Sequence, residues 1–260
     1  MKMLSYWKAI LTVINCGIIV VHAADFDDLF QASWAPDHIV VQGAQIALSL
    51  DSSTGCVCMQ MASEGPNRDE LDFEFLGNVS GEPYVVQTNL YVNGTGNREQ
   101  RHYLWFDPTK DFHTYSFFWN KRAILFLVDD IPIREFPNKE KKGVAYPRSQ
   151  AMGVHGSLWN ADDWATQGGR VKTNWSHSPF VVEFQSLEID ACQLSPDGAD
   201  DPVVKCGKSG QFWWDKPVVK EVNKQRKRQL KWIRDNFLIY DYCQDVARFT
   251  EGMLRECLQR

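Results

Sequence analysis

Between Arg68 and Asn78 the chain reads RDELDFEFLGN, in which Leu71, Phe73 and Phe75 alternate with Glu70, Asp72 and Glu74. A period of two predicts a β-strand whose apolar set enters a core and whose other face is open. The three acids then stand side by side on that open face, where like charges repel. Such a row adds nothing to stability, so it points to chemistry, and paired carboxylates flanking a glycosidic bond are the apparatus of retaining glycosidases. The plain alternative is a solvated acidic strand edge.

Similar short runs recur along the chain. Strands are predicted over 26–34, 46–50, 84–92, 98–106, 131–136 and 180–189, and 115–120 with 124–128 reads as a hairpin around Lys121-Arg122. In 84–92, Gln87 and Asn89 share one face while Val86, Thr88 and Leu90 take the other. Many short strands separated by turns such as Asn93-Gly94-Thr95-Gly96-Asn97 and Asp107-Pro108 predict an all-β sandwich. From Cys192 onward the composition shifts. A polar loop over 195–202 leads to a helix over 217–237, with Val218, Val222, Leu230, Ile233 and Phe237 near helical spacing. Its basic run, Lys224-Gln225-Arg226-Lys227-Arg228, reads as a solvated face, with a polyanion site as the lesser alternative.

The 260 residues carry a net charge of −5, which gives no reason to expect a nucleic-acid partner. Lys2 and Lys8 precede an apolar segment over 10–21 and a Val21-His22-Ala23 cleavage pattern, so residues 1–23 read as a secretory leader removed after Ala23 or Ala24. The mature chain is then exported and free of the membrane. Export fits three acceptor sequons, at Asn78, Asn93 and Asn174. Beyond the leader lie Cys56, Cys58, Cys192, Cys206, Cys243 and Cys257, an even number whose pairing the sequence leaves open. Cys56 and Cys58 have no clear assignment. No cofactor and no metal constellation is expected.

RDELDFEFLGN resembles the active-site strand of the plant xyloglucan endotransglucosylase/hydrolases of glycoside hydrolase family 16. A second stretch, Ser157-Leu158-Trp159-Asn160-Ala161-Asp162-Asp163-Trp164-Ala165-Thr166-Gln167-Gly168-Gly169, resembles that family's acceptor-side loop. The resemblance implies a concanavalin-like jelly-roll over 24–190, followed by a disulfide-linked, helix-containing C-terminal extension over 191–260. It implies the pairs Cys192–Cys206 and Cys243–Cys257. It assigns Glu70 as nucleophile, Asp72 as its helper and Glu74 as general acid/base. It implies substrate contacts at Gln87, Asn89, Arg101, Trp159, Asn160, Trp164, Gly168, Tyr240 and Arg248. The acceptor-side loop carries no long insertion, which leans towards transfer over hydrolysis.

One departure is large. After Leu50-Asp51 the chain runs through Cys56-Val57-Cys58 almost directly into Ser63-Glu64-Gly65-Pro66. About forty residues of the family pattern are missing there, and a sheet that loses central strands loses ladder hydrogen bonds and exposes edges. The leading expectation is a secreted, monomeric wall enzyme of the apoplast that cuts and religates xyloglucan, with a xyloglucan donor and a xyloglucan or oligosaccharide acceptor as partners. The alternative is an inactive, truncated relative that binds glycan or does nothing. A lectin-like module is disfavoured, because binding does not need three crowded acids.

Overall fold

Runs of aromatic and β-branched residues broken by Gly, Pro, Asn and Asp produce a two-sheet sandwich. The computed structural model describes residues 6–13, 31–33, 35–43, 45–51, 57–195, 199–207, 212–215 and 224–259. Its strands are β1 (Tyr6–Val13), β2 (Ile39–Gln42), β3 (Gln45–Leu50), β4 (Val57–Ala62), β5 (Glu70–Gly77), β6 (Val85–Tyr91), β7 (Gln100–Tyr103), β8 (His113–Trp119), β9 (Ala123–Val128), β10 (Ile131–Pro137), β11 (Gly153–Leu158), β12 (Phe180–Ile189) and β13 (Leu238–Asp241). Two helices follow the sandwich proper, α1 (Pro202–Cys206) and α2 (Lys224–Asn236).

One sheet has the order β10-β9-β8-β1-β12-β3-β2, the other β11-β4-β5-β6-β7-β13. The core lies between them. From β5, Phe73 and Phe75 meet Tyr115, Phe117 and Phe126 of the facing sheet, with Phe73 4.9 Å from Phe117 and Phe75 4.7 Å from Tyr115 between ring centroids. Edge-on and tilted ring pairs of this kind add to the stabilisation from burial alone. One polar side chain crosses the core: Arg134 of β10 donates from Nη1 to the Thr88 carbonyl and hydroxyl, both at 2.9 Å, and from Nη2 to the Arg98 carbonyl at 2.6 Å.

The C-terminal part is stapled by Cys192–Cys206 and Cys243–Cys257, the two pairs the resemblance implied. α2 buries Leu230 and Ile233 and packs on β10, while β13 joins the sheet beside β7. The segment after Cys192 is thus part of the sandwich, since it supplies an edge strand. Two short pieces of that segment also touch the main domain, through Asn120 Nδ2 to the Trp214 carbonyl at 3.2 Å and Lys121 Nζ to the Gly207 carbonyl at 2.5 Å.

Several boundaries differ from the sequence reading. β7 is shorter than the predicted 98–106, because Arg98 turns its backbone to Asn89 and 104–106 curve away towards Asp107-Pro108. Of the predicted strand over 26–34, residues 31–33 form no regular element and the rest, 26–30 and Trp34, lie outside the described residues. The predicted helix begins, within the described residues, at Lys224, and its apolar positions Val218 and Val222 lie outside them. Residues 6–13, inside the expected leader, form β1, which pairs in parallel with both β8 and β12. The first sheet is therefore continuous only with β1 in place.

Phe73 is fully buried. Phe73→Ala is expected to cost about 3–5 kcal/mol of unfolding free energy. Equilibrium denaturant melts of the two proteins, followed by near-ultraviolet circular dichroism, check this.

Candidate active site

The acid row sits in the middle of the six-stranded sheet, with β4 on one side and β6 on the other. Register places Gln60 and Asn89 opposite Asp72, Gln87 and the backbone of Cys58 opposite Glu74, and Ala62 and Tyr91 opposite Glu70. Alternation does put the three acids on one face, but that face is not open. Glu70, Asp72 and Glu74 are only 7%, 3% and 9% exposed. Cross-strand neighbours crowd the row, so burial overturns the expected open face and with it the alternative of a solvated acidic edge.

Burial decides the protonation of the row. Asp72 is raised well above the usual carboxyl range, first by desolvation, then by the charges of Glu70 and Glu74 and by a hydrogen bond with Glu70. Burial thus favours its protonated form, and its carboxyl is hydrogen-bonded to that of Glu70. Glu74 is raised to about 7, chiefly by desolvation, against a lowering hydrogen bond from Gln87. Glu70 also accepts a hydrogen bond from Arg68 Nε, and the Arg68 guanidinium lies 4.8 Å from the centre of the Tyr91 ring. The row thus holds Glu70 hydrogen-bonded by a cation, Asp72 biased towards its protonated form and Glu74 raised to about 7.

The start of β5 is bolted down. Ser63 N donates to the Asp69 carbonyl at 2.9 Å, and Asp69 N donates to Ser63 Oγ at 2.8 Å. Asn93 N donates to Asp69 Oδ1 and Gly94 N to the Arg68 carbonyl, each at 2.8 Å. Gly94 has φ +76°, and a Cβ there would stand 2.3 Å from the Pro66 carbonyl oxygen, so this close approach requires glycine.

From Glu74 a chain of polar contacts runs sideways across three strands. Gln87 Nε2 donates to Glu74 Oε1 at 2.9 Å, and Arg101 Nε donates to Gln87 Oε1 at 2.7 Å. Arg101 lies 5.4 Å from the Tyr240 ring centre. Tyr240 OH donates to Asp245 Oδ2 and accepts from Arg248 Nη1, both at 3.0 Å. Arg248 grips Glu99 through both terminal nitrogens, at 2.6 and 2.9 Å, and Asn97 Oδ1 at 2.8 Å.

The structure therefore gathers Gln87, Arg101, Tyr240 and Arg248 into one network with Glu74. Asn89 lies beside the row, with Oδ1 committed to the backbone nitrogens of Leu90 and Arg98 at 2.9 and 3.1 Å. Trp159, Asn160, Trp164 and Gly168 sit on the loop after β11, two strands from β5. Trp159 is 38% exposed, and Thr166 Oγ1 ties the loop to the Leu76 carbonyl at 3.4 Å, at the Glu74 end of β5. Asn93 and Asn174 are exposed, while Asn78 is half-buried with Nδ2 donating to the Pro83 carbonyl at 2.7 Å. Cys56 lies outside the described residues. Arg68, Tyr91 and Glu99 were missed by the sequence reading. Arg68 was within reach, because the period of two that lines up the acids extends back from Glu70 to it.

A cavity of about 360 Å³ lies on the core side of β7, lined in part by His102, Arg134 and Asp241. It opens on the opposite face of the strand from Arg101, so it is not part of the acid row's groove. Burial lowers His102 to about 3, and its ring is neutral.

Comparison with known proteins accounts for this layout. Residues 42–177 match the family described as Glycosyl hydrolases family 16, and 208–257 match Xyloglucan endo-transglycosylase (XET) C-terminus. Xyloglucan endotransglucosylase/hydrolase protein 9 of Arabidopsis thaliana is 48% identical, covering 94% of this chain and 92% of its own. The chain belongs to the xyloglucan endotransglucosylase/hydrolases of glycoside hydrolase family 16. Xyloglucan endotransglucosylase protein 6 of Diospyros kaki is also 48% identical, covering 88% and 87%. Among solved structures, a Bacillus licheniformis beta-glucanase matches at 25% identity with a TM-score of 0.43, over 59% of this chain and 82% of its own. The alignment to the Arabidopsis relative spans 273 positions yet takes in 94% of this 260-residue chain, about 244 residues, so roughly thirty of its positions face a gap here.

Two expectations follow from this row. The Gln87 amide favours the ionised form of Glu74, so Gln87→Leu raises the Glu74 pKa. With Glu74 as general acid, the basic limb of kcat/KM is expected to move up by about half a unit or more. Arg68→Gln removes the cation from which Glu70 accepts a hydrogen bond, and kcat is expected to fall by about tenfold or more. Rate profiles from about pH 4 to 9 with a soluble β-glucan substrate check both.

Proposed function

We propose that the protein cleaves and religates xyloglucan by a retaining double displacement at Glu70, Asp72 and Glu74, as a secreted protein of the cell wall and apoplast. What carries the reading is the unequal setting of three carboxyls on one buried strand face: Glu70 is paired with Arg68, Asp72 is raised well above the usual carboxyl range and Glu74 is raised to about 7. A retaining mechanism needs one ionised carboxylate and one protonated acid at the same bond. The Glu70 carboxylate attacks the anomeric carbon, the glycosidic C–O bond breaks, and the leaving oxygen takes the Glu74 proton. An acceptor hydroxyl then attacks the same carbon, gives its proton to Glu74 and releases Glu70. Water in place of the acceptor gives hydrolysis. Asp72, hydrogen-bonded to Glu70, orients the nucleophile.

The relatives' names support the choice of xyloglucan, and the XET C-terminus match supports an acceptor groove that reaches Tyr240 and Arg248. Trp159 and Trp164 offer faces on which sugar rings stack. Export with removal of residues 1–23 remains part of this reading, as do glycans on Asn78, Asn93 and Asn174. Among the described residues no helix is long and apolar enough to cross a membrane.

A second reading, a folded but inactive relative, is favoured by one observation: β1, inside the expected leader, bridges β8 and β12. Transfer from xyloglucan to a labelled xyloglucan oligosaccharide decides between them. The expected result is transfer by the folded wild type and a loss of at least about a thousandfold in Glu70→Ala. A folded wild type with neither transfer nor hydrolysis would sink the enzyme reading.

A further inference from the structure

The most one-sided charge distribution in the molecule lies away from the acid row. α2 carries six Lys and Arg against the single acid Asp235, within a chain whose net charge is −5. Leu230 and Ile233 turn inward, and Lys224, Lys227, Arg228, Lys231 and Arg234 are exposed. They recur three or four residues apart, which makes a stripe about 15 Å long on one side of the helix. Lys231 is offset by Asp235 at 2.5 Å.

The stripe continues onto the main domain. Glu135, on β10 beneath the helix, is raised by burial and pulled back by Lys227, Arg226, Arg234 and Lys139. Lys139 Nζ donates to the Gln259 carbonyl at 2.7 Å, and Gln259 Nε2 donates to the Lys142 carbonyl at 3.1 Å. Lys141 and Lys142 are exposed, and Arg255 stands against Gly143 in the same arc. Like charges gathered this densely repel one another, and a polyanion relieves that repulsion while releasing its own counterions.

We propose that α2 and the 139–142 loop form a docking surface for an acidic polysaccharide of the polyuronate class, which tethers the protein without occupying the catalytic groove. Glu135 shows that a carboxylate placed here falls within the field of Lys227, Arg226, Arg234 and Lys139. Arg forks suit carboxylates in particular. A sugar polymer is favoured over nucleic acid or lipid because the inference rests on the extracellular, glycan-acting reading above. The patch is built on β10 and α2, whereas the acid row is on β5, so both polymers fit at once.

The test uses the whole chain and immobilised polygalacturonate, at low and high salt. Binding is expected at about 50 mM NaCl and loss of it by about 0.5 M. Lys227→Gln/Arg228→Gln/Arg234→Gln keeps the helix, because Gln, Lys and Arg have similar helix propensity. It is expected to weaken retention by at least about tenfold while xyloglucan transfer stays unchanged. Equal retention on fully methyl-esterified polymer, or retention of the triple variant like wild type, would overturn the proposal. So would tighter binding to duplex DNA or anionic vesicles than to polygalacturonate. Because retention is read without turnover, a protein that binds polygalacturonate but transfers nothing disproves the enzyme reading alone.

Discussion

Three carboxyl groups buried on one strand face are the constraint to which the surrounding structure answers. Burying one unpaired carboxylate is costly, and burying three in a row is prohibitive unless most of the charge is removed. The row is relieved in three different ways. Asp72 is pushed well above the usual carboxyl range, Glu74 is raised to about 7, and Glu70 is paired with Arg68, which in turn leans on Tyr91. The same crowding that would otherwise weaken the fold sets the carboxyls of one face apart in their readiness to hold a proton. It holds only if the strand is rigid. The aromatic back face of β5 and the hydrogen bonds around Asp69 at its start supply that rigidity.

The C-terminal extension enters the chemistry through one amide. Arginine has donors and no acceptor, so Arg101 forces Gln87 to present its oxygen on that side. The Gln87 nitrogen is left to face Glu74, where it stabilises the ionised form against burial. Arg101 is in turn flanked by Tyr240, which belongs to the extension and is held by Arg248 and Asp245. The extension is itself anchored to the main domain, through Arg248 to Glu99 and Arg98 to Glu256. The Cys243–Cys257 disulfide closes the loop that carries Arg248 and Glu256. The extension thus fixes which way a buried amide points beside Glu74.

Alternation made β5 and β6 legible, and with them the row and Gln87, because a period of two is read without knowing the neighbours. β8, β9, β10 and β12 were legible instead as short aromatic and β-branched runs bounded by turns. β13 and β11 were not, since Leu238–Asp241 and Gly153–Leu158 are short edge strands whose pairing is set by partners far away in sequence. Burial of the acid face was also hidden. Sequence shows which residues share a face, not what covers it. Arg68 shows the limit from the other side: the pattern reached it, but its pairing with Glu70 depends on where the chain turns before β5.

The shortened chain raises the question of what its missing positions would have supported. The ladder beside the row is intact, with Ala62, Gln60 and Cys58 of β4 paired to Glu70, Asp72 and Glu74, and β6 paired on the other side. Both strands that flank the row, with the Gln87 amide that reaches Glu74, are therefore in place. In the other sheet β8 and β12 are joined only through β1 among the described residues. Removing β1 would leave two strand edges facing each other with unpaired backbone groups, at the back of the core that supports Phe73. The frame behind the row therefore depends on β1, while the row's own ladder does not.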